Sequence, residues 1–96
     1  MQVLALYDQL LAATPTPVVA LNRAVAVAEL RGPAAGLAEV DRLDLPGYHL
    51  FHATRADLLA RLDRRDEARE AYRQALDLAT NEAERAFLAG RLDGAR

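Results

Sequence analysis

His49 and His52 stand three residues apart, a spacing that puts both imidazoles on one side of a helix, close enough to share a ligand. Metal binding by such a pair needs companions, yet the sequence has no Cys and neither an H-E-x-x-H nor an E-x-x-H string. The pair is therefore read as structural, with His52 in an aromatic packing position and His49 capping or lining a groove. No metal and no cofactor is expected. Nucleophilic catalysis has no candidates, because the chain contains no Ser for a serine triad and no thiol in its place. Thr14, Thr16, Thr54 and Thr80 fall at caps or inside a helix, without a recognisable base. Asp66, Glu67 and Glu70 lie with Arg69 and Arg73 at the spacing of solvated helix pairs, not of a general acid and base. Arg31-Gly32-Pro33 and Leu45-Pro46-Gly47 read as helix breaks, not phosphate loops. The residues do not point to an enzyme.

The elements that position these side chains follow from composition and spacing. Among 96 residues, 52% are hydrophobic, but Ala supplies 21 and aromatics only five, so the core is built from small side chains and the composition favours helices. The chain is one small domain, or a piece of a larger protein. Twelve basic and 14 acidic residues give a net charge of -2, and every basic residue is Arg. This balance lacks the positive footprint of a nucleic-acid or anionic-membrane binder. The all-Arg, Ala-rich usage suggests a GC-rich bacterial genome, and the absence of Cys suits a reducing cytoplasm. The most apolar run, Val18 to Ala28, is shorter than the roughly 20 residues of a membrane span, and the start has no secretory-signal pattern.

Six helices are expected. The first runs from about Gln2 to Ala13 and stops at Thr14-Pro15-Thr16-Pro17. Thr16 caps the second, which starts at Pro17, continues through Glu29 to Arg31-Gly32, and is apolar nearly all round, hence buried and central. A third begins at Pro33, carries a Leu37, Val40, Leu43 stripe and is closed by Pro46-Gly47. The fourth spans about Tyr48 to Leu62, with a turn at Asp63-Arg64-Arg65. The fifth, about Asp66 to Ala79, begins with acids and carries Ala68, Tyr72, Ala75 and Leu76 on one face. Asn81 and Glu84 have capping-box spacing, so a sixth runs from about Glu82 to Leu92, leaving residues 93–96 as a flexible tail.

The helices repeat. A shift of 32 residues lays Asn22-Arg23-Ala24 on Thr54-Arg55-Ala56, Ala28 on Ala60, Leu30 on Leu62 and Gly36 on Ala68. A shift of 65 lays Tyr7, Gln9 and Leu11 on Tyr72, Gln74 and Leu76, which makes the first helix the second half of an earlier unit. Helix pairs of this kind expose a face that only the next pair covers, so they stack. The pattern resembles the tetratricopeptide repeat, whose A-x3-F element corresponds to Ala68 and Tyr72, and to Val3 and Tyr7 in the first helix. Pro15 falls where the repeat places its proline, while His52 replaces the consensus Trp, Arg23 and Arg55 the Leu, and Ala24 and Ala56 the Gly. The expected fold is all-α: antiparallel helix pairs stacked as a short tetratricopeptide-like superhelix of about six helices, residues 1–96 forming a single domain.

An Arg in an apolar register position must find carboxylate partners or reach a groove, since burial without a partner costs several kcal/mol. One reading has Arg23 and Arg55 bridging helices, with Asp8, Glu29 or Asp57 as partners. The other has Asn22, Arg23, His49, His52 and Arg55 lining a groove that grips a partner segment, using planar, multi-donor side chains suited to carbonyls and carboxylates.

The run Pro17-Val18-Val19-Ala20-Leu21-Asn22-Arg23-Ala24-Val25-Ala26, then Gly32-Pro33-Ala34-Ala35-Gly36-Leu37, then Tyr48-His49-Leu50-Phe51-His52-Ala53-Thr54-Arg55-Ala56 is similar to the C-terminal extension of one group of bacterial extracytoplasmic-function sigma factors. Neither sigma core region is present: there is no basic helix-turn-helix and no aromatic promoter-melting segment. The resemblance implies a detached C-terminal regulatory domain that tunes RNA polymerase sigma activity, and so transcription initiation, through protein contacts with the sigma core, with polymerase or with a peptide segment. A free-standing repeat adaptor for a peptide or helix is the alternative. Direct nucleic-acid binding and membrane binding are not expected, and the location is cytoplasmic. The first helix has an apolar face with Val3, Leu6 and Leu10, to be covered by an upstream domain or by a second copy, and the isolated chain is expected to form a homodimer through it.

Overall fold

The computed structural model describes residues 2–94, which form six α-helices and their connections, with no strand among the described residues. They are α1 (Gln2–Ala13), α2 (Pro17–Arg31), α3 (Pro33–Asp41), α4 (His49–Arg61), α5 (Arg65–Leu78) and α6 (Glu82–Gly94). Two compact units result, Met1–Asp44 with α1 to α3 and Leu45–Arg96 with α4 to α6. No helix among the described residues is long and apolar enough to cross a membrane.

Local signals set most boundaries. The Thr16 hydroxyl accepts a hydrogen bond from the Val19 amide at 3.2 Å, and Pro17 follows at the first helical position. Gly32, at φ 99°, turns the chain between α2 and α3 in one residue. At the end of α4, Asp63 takes a left-handed conformation while its amide bonds Ala60 and the Arg64 amide bonds Leu59, a Schellman closure. Asn81 Oδ1 accepts from the Glu84 amide at 3.1 Å and starts α6.

In the first unit α2 packs against both α1 and α3, burying Leu21, Ala24, Val27 and Ala28 on α2 and Gly36, Leu37 and Val40 on α3. Gly36 is required there: a Cβ on it would lie 2.5 Å from the Ala28 Cβ and 3.0 Å from its Cα. In the second unit α5 packs most extensively on α4 and also on α6. Ala68, Ala71, Tyr72 and Ala75 are buried on α5, and Phe51, His52, Ala56, Leu58 and Leu59 on α4.

Three expectations need correction. Helix α2 is not buried all round: Val18, Val25 and Leu30 are exposed, because its neighbours within the unit leave part of its circumference uncovered. Helix α3 ends at Asp41, five residues before Pro46, where Arg42 and Leu43 tighten into i to i−3 turns and Asp44 takes a positive φ. Helix α6 continues through Asp93 and Gly94, which the sequence assigned to a flexible tail, while residues 95–96 of that tail lie outside the described residues.

Candidate functional site

The five candidate residues are divided between the units. Asn22 and Arg23 sit on α2 in the first, and His49, His52 and Arg55 on α4 in the second.

Arg23 is the junction of the first unit. Its Nε donates to Asp8 Oδ1 on α1 at 2.7 Å and its Nη1 to Glu39 Oε1 on α3 at 2.6 Å, so one guanidinium ties three helices. Arg42 Nη1 donates to the other Glu39 oxygen at 3.2 Å. The hydrogen bond to Asp8 raises the Arg23 pKa above its ordinary value, desolvation opposes the shift, and the charges of Asp8 and Glu39 add to it. The bridging reading had named Asp8; Glu39 was not foreseen. The sequence did hold a clue: Gly36 marks the side of α3 that meets α2, and Glu39 lies one turn further along that side. Asn22, the preceding residue, is exposed.

His52 is a buried polar side chain of α4, and its Nε2–H donates to the Pro46 carbonyl oxygen at 2.7 Å. A carbonyl only accepts, so this contact places the proton on Nε2 and ties the loop before α4 to the helix. The Phe51 ring meets it edge-on at 5.1 Å. His52 thus acts as an aromatic core residue with one polar anchor. It also contributes to an open cleft of about 270 Å³ lined by Pro46, Gln74, Asp77 and Leu78. The last three come from α5 and were not anticipated, since their adjacency depends on how α5 lies on α4.

His49 points elsewhere. Its buried Nε2 lies 2.9 Å from Glu84 Oε2 on α6 without a hydrogen bond. The Tyr48 ring stands edge-on to it at 5.8 Å. Arg55 is half-buried and its charge helps hold the Glu67 carboxyl below the ordinary range, an effect led by the hydrogen bonds Glu67 accepts from Arg64. Asp57 pairs with Arg61 at 3.1 Å and approaches Arg91 at 3.5 Å.

The carboxylates set aside as solvated pairs are found as such: Arg69 with Asp66, Arg73 with Glu70, and Arg64 with Glu67, all one turn apart. Among the described residues no three His, Asp or Glu converge as a metal-binding group. The arrangement offers binding chemistry: a cleft with the Gln74 amide, the Asp77 carboxylate and an apolar Leu78 edge.

The chain is 48% identical over 90 residues, 92% of its length, to an uncharacterized protein of Rhizobium meliloti (strain 1021). The matched stretch is 21% of that protein, so this chain spans about a fifth of the length of the curated relative it matches. No family model matches the sequence, and no solved structure does.

Proposed function

We propose that this chain is a tetratricopeptide-like helical-repeat domain that binds protein, and that it is the regulatory extension of an extracytoplasmic-function RNA polymerase sigma factor. One observation carries the repeat reading. Helices α4 and α5 begin 32 residues after α2 and α3, at His49 after Pro17 and at Arg65 after Pro33, and the small residues at matching positions, Ala24 with Ala56 and Gly36 with Ala68, are buried in both pairs. Small residues at those places let paired helices approach closely, and recurrence of the device is what a stacked repeat requires.

The sigma-factor reading rests on the similarity of the Leu21-Asn22-Arg23-Ala24-Val25-Ala26 and Tyr48-to-Ala56 strings to that extension. The match to a domain-sized part of a much longer relative is in keeping with it. In this reading the bacterial domain works in the cytoplasm by touching the sigma core or polymerase, and performs no catalysis of its own. The α4–α5 cleft supplies the grip: Asp77 favours a basic or N–H-bearing group on the partner, and Leu78 an apolar one.

The test is capture of purified sigma core regions and of polymerase by the chain, compared with Arg55→Ala and Asp77→Ala variants of verified helicity. Capture by the parent, weakened in either variant, supports the proposal. No capture by the parent refutes the sigma-factor role and moves the function to an adaptor for another peptide.

A further inference from the structure

The odd-numbered helices occupy one place in the repeat. A 33-residue shift lays Val3 on Gly36 and Tyr7 on Val40, and a 65-residue shift lays Val3, Leu6, Tyr7 and Leu10 on Ala68, Ala71, Tyr72 and Ala75. Those four positions of α5 are all buried. On α1, Val3, Leu6 and Leu10 are 44%, 63% and 46% exposed, and with Tyr7 they line an apolar depression of about 240 Å³.

What covers the equivalent face elsewhere is visible. Helix α3 packs on the helix before it, α2, and α5 packs most extensively on α4. At the register position of Val3, Gly36 lies directly against Ala28 of α2. The exposed face of α1 is therefore the face that, in this repeat, meets the preceding helix. We infer that the Val3, Leu6, Tyr7, Leu10 face is a docking surface for one further helix of the α2 and α4 type, contributed by the rest of a longer polypeptide, as in the relative whose matching stretch is about a fifth of its length.

The pattern fixes the chemistry of that helix. It carries a small residue where α2 has Ala28, which lies against Gly36, and where α4 has Ala60. The register disfavours, as the source of such a helix, the second copy expected from the sequence. Its α2 and α4 are engaged on α3 and α5, and α6, which begins 33 residues after α4, brings Arg85 and Asp93 to the places of His52 and Ala60. Pressing a carboxylate against Val3 and Leu6 without a partner is unfavourable.

The inference rests on the repeat reading above, not on the sigma-factor role, and failed capture of sigma core leaves it untouched. The experiment places a copy of Tyr48–Asp66 ahead of Gln2 of the full chain, which preserves the register. The sequence has no Cys, so Val3→Cys together with Ala60→Cys in the added copy makes one defined pair. The expected results are a disulfide on mild oxidation and amide exchange in α1 slowed about tenfold or more, both abolished by Leu6→Glu. A fusion that gains no helicity, forms no cross-link or leaves α1 exchange unchanged overturns the inference. So does an unmodified chain that light scattering shows to be a dimer dissociated by Leu6→Glu, which assigns the face to a second copy.

Discussion

Replacing Gly36 with Ala tests the tightest contact in the first unit. The new Cβ would meet Ala28 Cβ at 2.5 Å, Ala28 Cα at 3.0 Å and Ala28 N at 3.1 Å. Carbon atoms rest at about 3.5 to 4.0 Å, so α2 and α3 must part by about 1 Å. Two of the three obstructing atoms are backbone and have no rotamer to escape into. The cost therefore sits near the upper end of the overpacking range, about 3 kcal/mol. Exchanging Gly for Ala within a helix returns about 1 kcal/mol, which leaves a net loss of about 2 kcal/mol. For a domain of this size that lowers Tm by roughly 8 to 16 °C, read by thermal unfolding followed with far-UV circular dichroism. Gly90 in α6 is the internal control, since a Cβ there meets nothing within 4 Å. The same exchange at Gly90 is expected to raise Tm by a few degrees, from about 0.5 to 1 kcal/mol of backbone entropy. Adding Ala28→Gly to Gly36→Ala removes the closest contact and is expected to restore part of the loss. Gly36→Ala as stabilising as Gly90→Ala would refute the close approach of α2 and α3.

Arg23→Met is expected to cost about 1 kcal/mol, because Glu39 keeps Arg42 while Asp8, 60% exposed, loses little. Urea unfolding at low and high salt checks it, and an equal loss from Asp8→Asn would contradict the three-helix junction. Tyr72 has its pKa raised by burial, with Asp57 adding to the effect. The stabilisation it brings is complete below about pH 10, where an unfolded phenol still holds its proton, and is lost as pH rises through the higher folded value. Tyr72→Phe should flatten that alkaline fall in the urea midpoint, and an unchanged slope would remove Tyr72 as its source. Asn81→Ala deletes the acceptor for the Glu84 amide and should cost about 1 kcal/mol, seen as faster amide exchange in the first turn of α6.

The sequence revealed most about features written in a few adjacent residues. Thr16 with Pro17, and Asn81 with Glu84, located helix starts because a cap is satisfied within one turn. The end of α3 was missed for the same reason: no Gly or Pro stands between Val40 and Leu45, and the chain leaves the helix through Arg42 and Leu43 without a local marker. The candidate site depended more on packing. His52 was recognised as an aromatic core residue from its repeat position, but its bond to Pro46 depends on the path of the loop before α4. Arg23 was seen to need a carboxylate, and Asp8 was among those named, whereas Glu39 became its second partner only once α3 folded back on α2.

The first helix shows why a repeat conveys direction better than burial. The sequence shows an apolar face on the first helix with Val3, Leu6 and Leu10, and the 65-residue shift identifies it with the face that α5 turns inward. Similar apolar residues in the same register are buried on α5 and exposed on α1, although both helices belong to one class. The proposed repeat attributes the difference to the preceding helix, which covers this face on α5. The same reasoning accounts for α2, whose apolar circumference exceeds what its neighbours in the unit cover, leaving Val18, Val25 and Leu30 in solvent. A docking surface in such a molecule is recognised where the register calls for a neighbour and the structure leaves the face uncovered, and α1 meets both conditions.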